Sequence, residues 1–214
     1  MIKRAFITLL LLFSASSCAG PLLQANYNVR ESYRSPNFKD IYDGETVGLL
    51  TATDGESSLE YRKLLGEFVE EAIRKERPDI KVVPYWESLS TINRVGYTAE
   101  YAEMLKEYAS TGILDRARLK KLGDAIGARY FIQPRLINFR QNQSTRFSAF
   151  GLTLFKTHES EIKVYIELWD ADTGTVVWIG VADTNMASEK LMARPIPFEE
   201  VAKYAIANLI KQMP

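Results

Sequence analysis

The stretch that decides the fold is VYIELWDADTGTVVW, residues 164–178. It continues an alternation in which one face carries Ile162, Val164, Ile166 and Leu168, and the other carries Glu161, Lys163, Tyr165 and Glu167. Such an alternation over 160–170 predicts a β-strand with one buried and one solvated face. The DADTG segment at 170–174 is typical of a tight turn, so a second, antiparallel strand is expected over 175–183.

On both sides of this hairpin, short apolar runs alternate with segments of helical periodicity. The apolar runs predict strands at 46–51, 80–85 and 129–139. Helices are expected from Ser57 or Ser58 to Pro78, around 97–112, over 115–127 and after Pro197. The order β-α-β-α-α-β-β-β-α predicts a single α/β domain over 44–214, with a mixed β-sheet packed with helices.

The last helix has the clearest apolar stripe. Its members recur at three- and four-residue spacing and are Phe198, Val201, Ala202, Ala205, Ile206, Leu209 and Ile210. We expect this stripe to form a large part of the core. In the shorter helix over 115–127, Asp115 is the expected N-cap and Gly127 the expected C-cap. Trp86, near the end of the second strand, is expected in the core.

The N-terminus has the layout of an export signal. Lys3 and Arg4 precede an apolar run at 5–13, and small residues follow up to Cys18. This order is typical of a secretory signal peptide, here residues 1–17. The run is too short to span a membrane, which takes roughly 20 apolar residues.

Cys18 is the only cysteine in the chain. The sequence ASSC at 15–18 resembles a bacterial lipobox, which implies cleavage before Cys18 and a diacylglycerol on its thiol. Two or three acyl chains anchor a protein stably, since each buried methylene contributes about 0.8 kcal/mol. Ala19 directly after the cysteine resembles the sorting signal of lipoproteins sent to the outer membrane. The alternative is an ordinary signal peptide that leaves Cys18 as a spare thiol.

The segment after the cysteine shows no sustained periodicity. Residues 18–43 are therefore interpreted as a tether, and its aromatic residues favour docking of the later part on its own domain or on a partner. Own-domain docking is favoured, although pairing of 27–42 with the sheet edge stays open. Without residues 1–17 the chain has 25 basic and 27 acidic residues, a net charge of about −2. This balance lacks the basic excess that nucleic-acid binding requires.

Three stretches together resemble a known family. They are LKKLGDAIGARYFIQPRL at 119–136, the hairpin at 164–178, and FEEVAKYAIANLIKQM at 198–213. Behind a lipobox, this pattern is similar to the CsgG/LpoB-like periplasmic lipoproteins, which include a curli-secretion channel and an activator of peptidoglycan synthases. The resemblance covers about 46–213. The resemblance implies an α/β domain without catalytic residues or a cofactor. It also implies a protein that acts by assembling or by binding other proteins.

The segment RQNQSTRFSAFGLTLFKTH at 140–158 is the one candidate insertion. Its apolar residues, the candidate contact with a partner or the membrane, are Phe147, Phe150, Leu152, Leu154 and Phe155. A surface loop that folds onto its own domain is the equal alternative. A transmembrane hairpin needs two strands of about 9–11 residues, so this segment could supply one hairpin at most, whereas the curli channel uses two per subunit.

Candidate catalytic and metal-binding residues are few. His158, the only histidine, is expected to lie exposed in a polar loop without a catalytic role. Asp170, Asp172 and Gly174 loosely resemble a calcium loop, but a hairpin turn is favoured because the downstream Glu is missing. No phosphate-binding glycine motif and no nucleophile elbow is present.

These observations predict a non-enzymatic, lipid-anchored lipoprotein at the periplasmic side of the bacterial outer membrane. It would act on an envelope protein partner or by self-association. One alternative is an oligomeric secretion channel or channel accessory with 140–158 at the membrane. Another is an enzyme or small-ligand module that uses carboxylates such as Glu87, Asp170 and Asp172, and this would need a pocket where they converge.

Overall fold

The computed structural model describes residues 22–41, 44–54, 59–149, 152–190 and 195–214. In chain order its elements are β1 (Leu22–Arg34), β2 (Thr46–Leu49), β3 (Thr53–Asp54), α1 (Leu59–Glu76), β4 (Lys81–Val82), α2 (Tyr85–Arg94), α3 (Thr98–Thr111), α4 (Arg116–Ile126), β5 (Tyr130–Ala149), β6 (Leu152–Asp170), β7 (Thr175–Lys190) and α5 (Phe198–Ile210).

All seven strands join one mixed sheet. The order along it is β1-β7-β6-β5-β2-β4, and β3 pairs with a later part of β5. The four strands β1, β7, β6 and β5 are antiparallel to their neighbours in that series, whereas β2, β3 and β4 pair in parallel. The predicted α/β fold with a mixed sheet is confirmed.

The first hydrophobic cluster lies between one face of the sheet and the helices α1 and α5. The four apolar residues that alternate along β6, from Ile162 to Leu168, are fully buried there. Their predicted partner, the apolar stripe of α5, is also buried along its length. The apolar face of the strand and the apolar face of the helix thus pack together as expected, because each element buries one face away from water.

A second cluster covers one end of the opposite face. Phe131 of β5 and Trp169 of β6 meet Leu122 of α4 and Tyr108 of α3 there. The caps predicted for α4 are confirmed. The Asp115 side chain accepts a hydrogen bond from the backbone N–H of Arg118, and Gly127 has the left-handed φ of 75° that favours glycine.

The N-terminal strand β1 is a difference from the sequence prediction. Residues 22–34 fall in the segment interpreted as a tether, yet they pair with β7 as the edge strand of the sheet. Ala25 and Val29 pack against the first cluster, whereas Asn26 and Asn28 are exposed. The alternation was hidden because its buried positions hold few large apolar residues. The expected docking on the chain's own domain therefore takes the form of strand pairing.

The region after β4 also differs. The strand predicted to reach residue 85 has only two residues, and α2 begins at Tyr85. Pro84, with φ of −53°, ends the strand because it has no N–H to donate and its angle suits a helix start. Trp86, expected in the core, stands in the first turn of α2 with 66% of its surface exposed, so that prediction was wrong.

Candidate contact surface at the end of the long hairpin

The described residues of the segment 140–158 belong to a long β-hairpin; the sequence alone leaves a hairpin and a surface loop open as alternatives. The strands β5 and β6 pair from Tyr130 opposite Asp170 to Ala149 opposite Leu152. From residue 140 to residue 145 the sequence of β5 is polar throughout, so apolar alternation disappears there. Backbone hydrogen bonding between the strands continues nevertheless, because it does not depend on apolar side chains.

The hairpin reaches further than its neighbours at one end of the sheet. Leu22, the first residue of β1, pairs with Glu189 of β7, which pairs with Thr157 of β6, which pairs with Ser144 of β5. We call residues 145–156 the hairpin tip; its described residues, 145–149 and 152–156, lie beyond this row. Each strand of the tip has at least five residues.

The predicted contact residues belong to the hairpin tip. The structure places Phe147 opposite Phe155 and Leu152 opposite Ala149, and Leu154 lies in β6 between Thr153 and Phe155. Phe150 and Cys18 lie outside the described residues. The strand register thus brings four of the five predicted contact positions to one end of the sheet.

The base of the tip is held by polar contacts on the face that carries α5. The carbonyl oxygen of Ile196 accepts hydrogen bonds from Gln141 Nε2 and from the Ser160 hydroxyl, both at 2.7 Å. Ser160 is fully buried, and the segment before α5 therefore crosses over β5 and β6 at this level. These contacts connect the hairpin to the core just below the tip.

His158 lies next to this base and corrects a second prediction. It is a strand residue of β6, opposite Gln143 and Ser188, with 6% of its surface exposed. It is therefore neither exposed nor in a loop. No sequence pattern indicates this burial, because the residues around His158 are polar.

The turn at the opposite end of β6 has the structure predicted for a hairpin. The Asp170 carboxylate accepts hydrogen bonds from the backbone N–H groups of Asp172, at 2.9 Å, and Thr173, at 3.0 Å. Gly174 takes the left-handed φ of 69°. Arg129 pairs with Asp170 at 3.2 Å, and Lys120 donates to Asp172 at 2.9 Å. The Lys120 ammonium holds the pKa of Asp172 below its ordinary value.

The three carboxylates considered for an enzyme do not form one site. Asp170 lines an open groove of about 580 Å³ together with Lys39, Arg129 and Tyr130. Neither Asp172 nor Glu87 is among the lining residues, and Glu87 is exposed in the first turn of α2. Asp170 is already engaged by Arg129 and the turn, which is a structural role.

Glu167 is a half-buried carboxylate that the sequence prediction had put on the solvated face of its strand. Its Oε2 accepts hydrogen bonds from the Tyr108 hydroxyl at 3.0 Å and from Trp169 Nε1 at 2.9 Å. Burial raises its pKa, and the two hydrogen bonds oppose that effect. The helix α3, which covers this end of the sheet face, is the reason for the burial, and no local pattern announces it.

Two further observations concern the described residues. No helix within them is long and apolar enough to cross a membrane. Within the same ranges, no three histidine, aspartate or glutamate side chains are grouped to hold a metal ion.

No protein-family model and no curated protein matches the sequence. Solved structures are similar in fold. A dodecamer of a PelC point variant from Paraburkholderia phytofirmans is 14% identical with a TM-score of 0.50, and the match covers 88% of this chain and 98% of that chain. The LpoB C-terminal domain from Escherichia coli is 10% identical with a TM-score of 0.41, covering 68% and 86%. Lipoprotein GNA1162 from Neisseria meningitidis is 9% identical with a TM-score of 0.41, covering 78% and 96%.

The PelC comparison supports the α/β fold over most of both chains. The predicted similarity to the curli-secretion channel stays a prediction.

Proposed function

We propose that this chain is a non-enzymatic lipoprotein of the bacterial envelope, anchored by lipid on Cys18 at the periplasmic side of the outer membrane. It acts through association with envelope proteins or with its own copies. The observation that carries the proposal is the position of β1. This strand begins at Leu22, four residues after Cys18, at the end of the sheet where the hairpin tip lies.

The distances fit a shared membrane contact. Four residues in extended conformation span at most about 14 Å, so a lipidated Cys18 keeps Leu22 within that distance of the membrane surface. The tip continues past the Leu22 row by five residues on β5, or about 17 Å at the rise of an antiparallel strand. A tip that points along the strands can therefore touch the lipid surface to which Cys18 is attached.

The composition of the tip supports the same contact. Phe147, Phe150, Leu152, Leu154 and Phe155 supply apolar side chains. Apolar and aromatic groups enter the interface between headgroups and acyl chains, and this burial adds to the attachment by acyl chains. The hairpin would then fix the orientation of the domain, while the lipid would supply most of the affinity.

The anchor is tested by fractionation of a Cys18→Ser variant of the full chain. We expect the variant to leave the membrane pellet after a carbonate wash, whereas the parent chain stays in it. Metabolic labelling with a palmitate analogue should mark the parent and not the variant. A variant that stays in the pellet without label would contradict lipid attachment as the anchor.

Contact by the tip is tested by fluorescence quenching in vesicles that contain brominated lipids. Phe150→Trp is expected to add emission that these lipids quench. The matched control is Val95→Trp, because Val95 is an exposed apolar residue just after α2 and outside the hairpin tip. Equal quenching of the two variants would contradict the proposed orientation.

A second candidate is an oligomeric secretion channel or channel accessory. One observation favours it: the similar PelC structure is a dodecamer. The hairpin tip has at least five residues on each strand, about half of the 9–11 of a membrane strand, so a pore would need more of the hairpin than the tip. The native mass of the full chain, extracted in mild detergent, separates the candidates. A discrete multimer supports this candidate, and a monomer that co-purifies with an envelope protein supports the first.

A further inference from the structure

At the end of the sheet where the hairpin tip lies, two edges have no neighbouring strand among the described residues. Among the described residues β1 pairs with no strand other than β7, so its outer edge along 22–34 has no neighbouring strand, although Gln212 Nε2 donates to the Val29 carbonyl oxygen at 3.4 Å. On the other side, β2 and β3 pair with β5 only at 130–132 and 135–136, so among the described residues no strand pairs with the outer edge of β5 from residue 137 onward. The row that joins Gln24, Ala187, Glu159 and Asn142 crosses both open edges.

Over residues 22–29 and 141–145 the two edges lack the features by which edge strands avoid pairing. Further along, β1 has Arg30, Glu31, Arg34 and a bulge between 31 and 33, and β5 has Arg140 and bulges at 136–138 and 145–147. Residues 22–29 and 141–145 contain no proline and no charged residue. The pairing of β1 is regular over 22–31, and that of β5 over 138–145. Charges, prolines and bulges are what protect long edges from addition of another strand. The short edge strand β4 differs, since it has two residues, one of them Lys81, and Pro84 follows closely.

The exposed side chains at the two edges are compatible with each other. On the face away from α1 and α5, β1 exposes Asn26 and Asn28, and β5 exposes Arg140 and Asn142. Residues 22–29 carry no positive charge that would repel Arg140. Large exposed apolar side chains also occur at both edges, Tyr27 on β1 and Ile137 at a bulge of β5.

The directions of the strands decide how copies can join. In the series β1-β7-β6-β5 each strand is antiparallel to the next, so β1 and β5 run in opposite directions. When a second copy is placed beside the first by rotation about an axis along the strands, its β5 runs antiparallel to the first copy's β1. The alternating hydrogen-bond pattern then continues across the contact.

We propose that copies of this chain associate head to tail, with the β1 edge of one copy paired to the β5 edge, residues 138–145, of the next. This inference rests on the proposed function and names the partner as a second copy. One contact of this kind covers both edges, whereas a two-fold contact through β1 leaves the β5 edge open. A head-to-tail contact closes into a ring or grows as a filament.

The test is cross-linking of engineered cysteines in the full-length chain. Asn28→Cys marks the β1 edge and Arg140→Cys marks the β5 edge, both at exposed positions. Each variant alone, the two mixed, and the double variant are treated with a short bis-maleimide in mild detergent. The parent chain shows the background from Cys18, and unchanged thermal melts show that the variants are folded. Asn142→Cys, two residues along the edge, replaces Arg140→Cys as a second register.

Head-to-tail pairing predicts a cross-linked dimer in the mixture, none with either variant alone, and a ladder beyond the dimer for the double variant. Dimers from Asn28→Cys alone would overturn the proposal in favour of a two-fold contact through β1. A folded multimer that cross-links at none of these positions would overturn the proposed edges but leave self-association intact. A monomer would overturn the proposal that the partner is a second copy. The fractionation and quenching experiments would still test the anchored function on their own.

Discussion

At the scale of single residues, Glu167 has a half-buried charge whose cost in folding free energy depends on pH. Its pKa is raised from 4.5 mainly by burial, so the folded chain holds this proton to a higher pH than the unfolded chain does. The stability gained in this way is present in full below the unfolded pKa and is lost as pH rises through the folded pKa. Glu167 therefore weakens the fold progressively above about pH 4.5.

We expect Glu167→Gln to melt at a higher temperature than the parent near pH 7, with a difference that shrinks toward pH 4. The amide oxygen of glutamine can still accept the hydrogen bonds from Tyr108 and Trp169. Melting curves over that pH range measure the effect, and Glu103→Gln on the exposed face of α3 is the control. A loss of stability that is the same at every pH would contradict this prediction, because the cost of burying a charge must grow as the carboxyl ionises.

Two glycines packed against aromatic rings make opposite predictions for the same substitution. A Cβ on Gly180 of β7 would overlap the Trp178 ring and lie 2.6 Å from Leu209 Cδ1. We expect Gly180→Ala to cost about 1–3 kcal/mol, as overpacking does. A Cβ on Gly66 of α1 would lie 3.5 Å from the Tyr85 ring, an ordinary contact. Gly66→Ala should then gain about 0.5–1 kcal/mol of helix stability. Denaturant unfolding of both variants checks the pair, and a destabilised Gly66→Ala would contradict the packing.

At the scale of elements, those with one strongly apolar face could be predicted from the sequence, because that face alone determines where they lie. The strand β6 and the helix α5 are examples. The strand β1 and the outer half of β5 could not, since backbone pairing with a neighbour holds them and leaves little apolar pattern. The candidate contact residues could be named, but their position at the same end as Leu22 depends on strand register, which no local pattern encodes.

The helix α5 provides the strongest test at this scale. Ile206 is fully buried in the first cluster, so Ile206→Asp would place a charge where no partner is available. We expect loss of the cooperative transition in far-UV circular dichroism. Lys203→Asp on the exposed side of the same helix is the control, because it removes only surface contacts: an ion pair with Glu71, worth about 0.2–1 kcal/mol, and a cation–π contact with the Phe68 ring. An Ile206→Asp variant with an unchanged melting temperature would show that this face of α5 is not in the core.

At the scale of the whole molecule, one sheet joins two hydrophobic clusters. Neighbouring residues of β5 point to opposite sides, so that Ile132 packs in the first cluster and Phe131 in the second. On β6, Leu168 and Trp169 divide in the same way. Neither cluster can lose its packing without exposing strands that the other needs, which predicts a single unfolding transition for the domain.

Substitutions in either cluster should therefore lower the same transition. Leu122 of α4 is fully buried in the second cluster, and we expect Leu122→Ala to cost about 2–5 kcal/mol. Tryptophan fluorescence reports on both clusters, because Trp178 lies in the first and Trp169 in the second, while circular dichroism follows all helices and strands. The two signals should lose amplitude together at one lowered midpoint. If α2, α3 and α4 unfolded first, with the α5 side of the sheet intact, the two clusters would be independent, and the shared strands would not couple them.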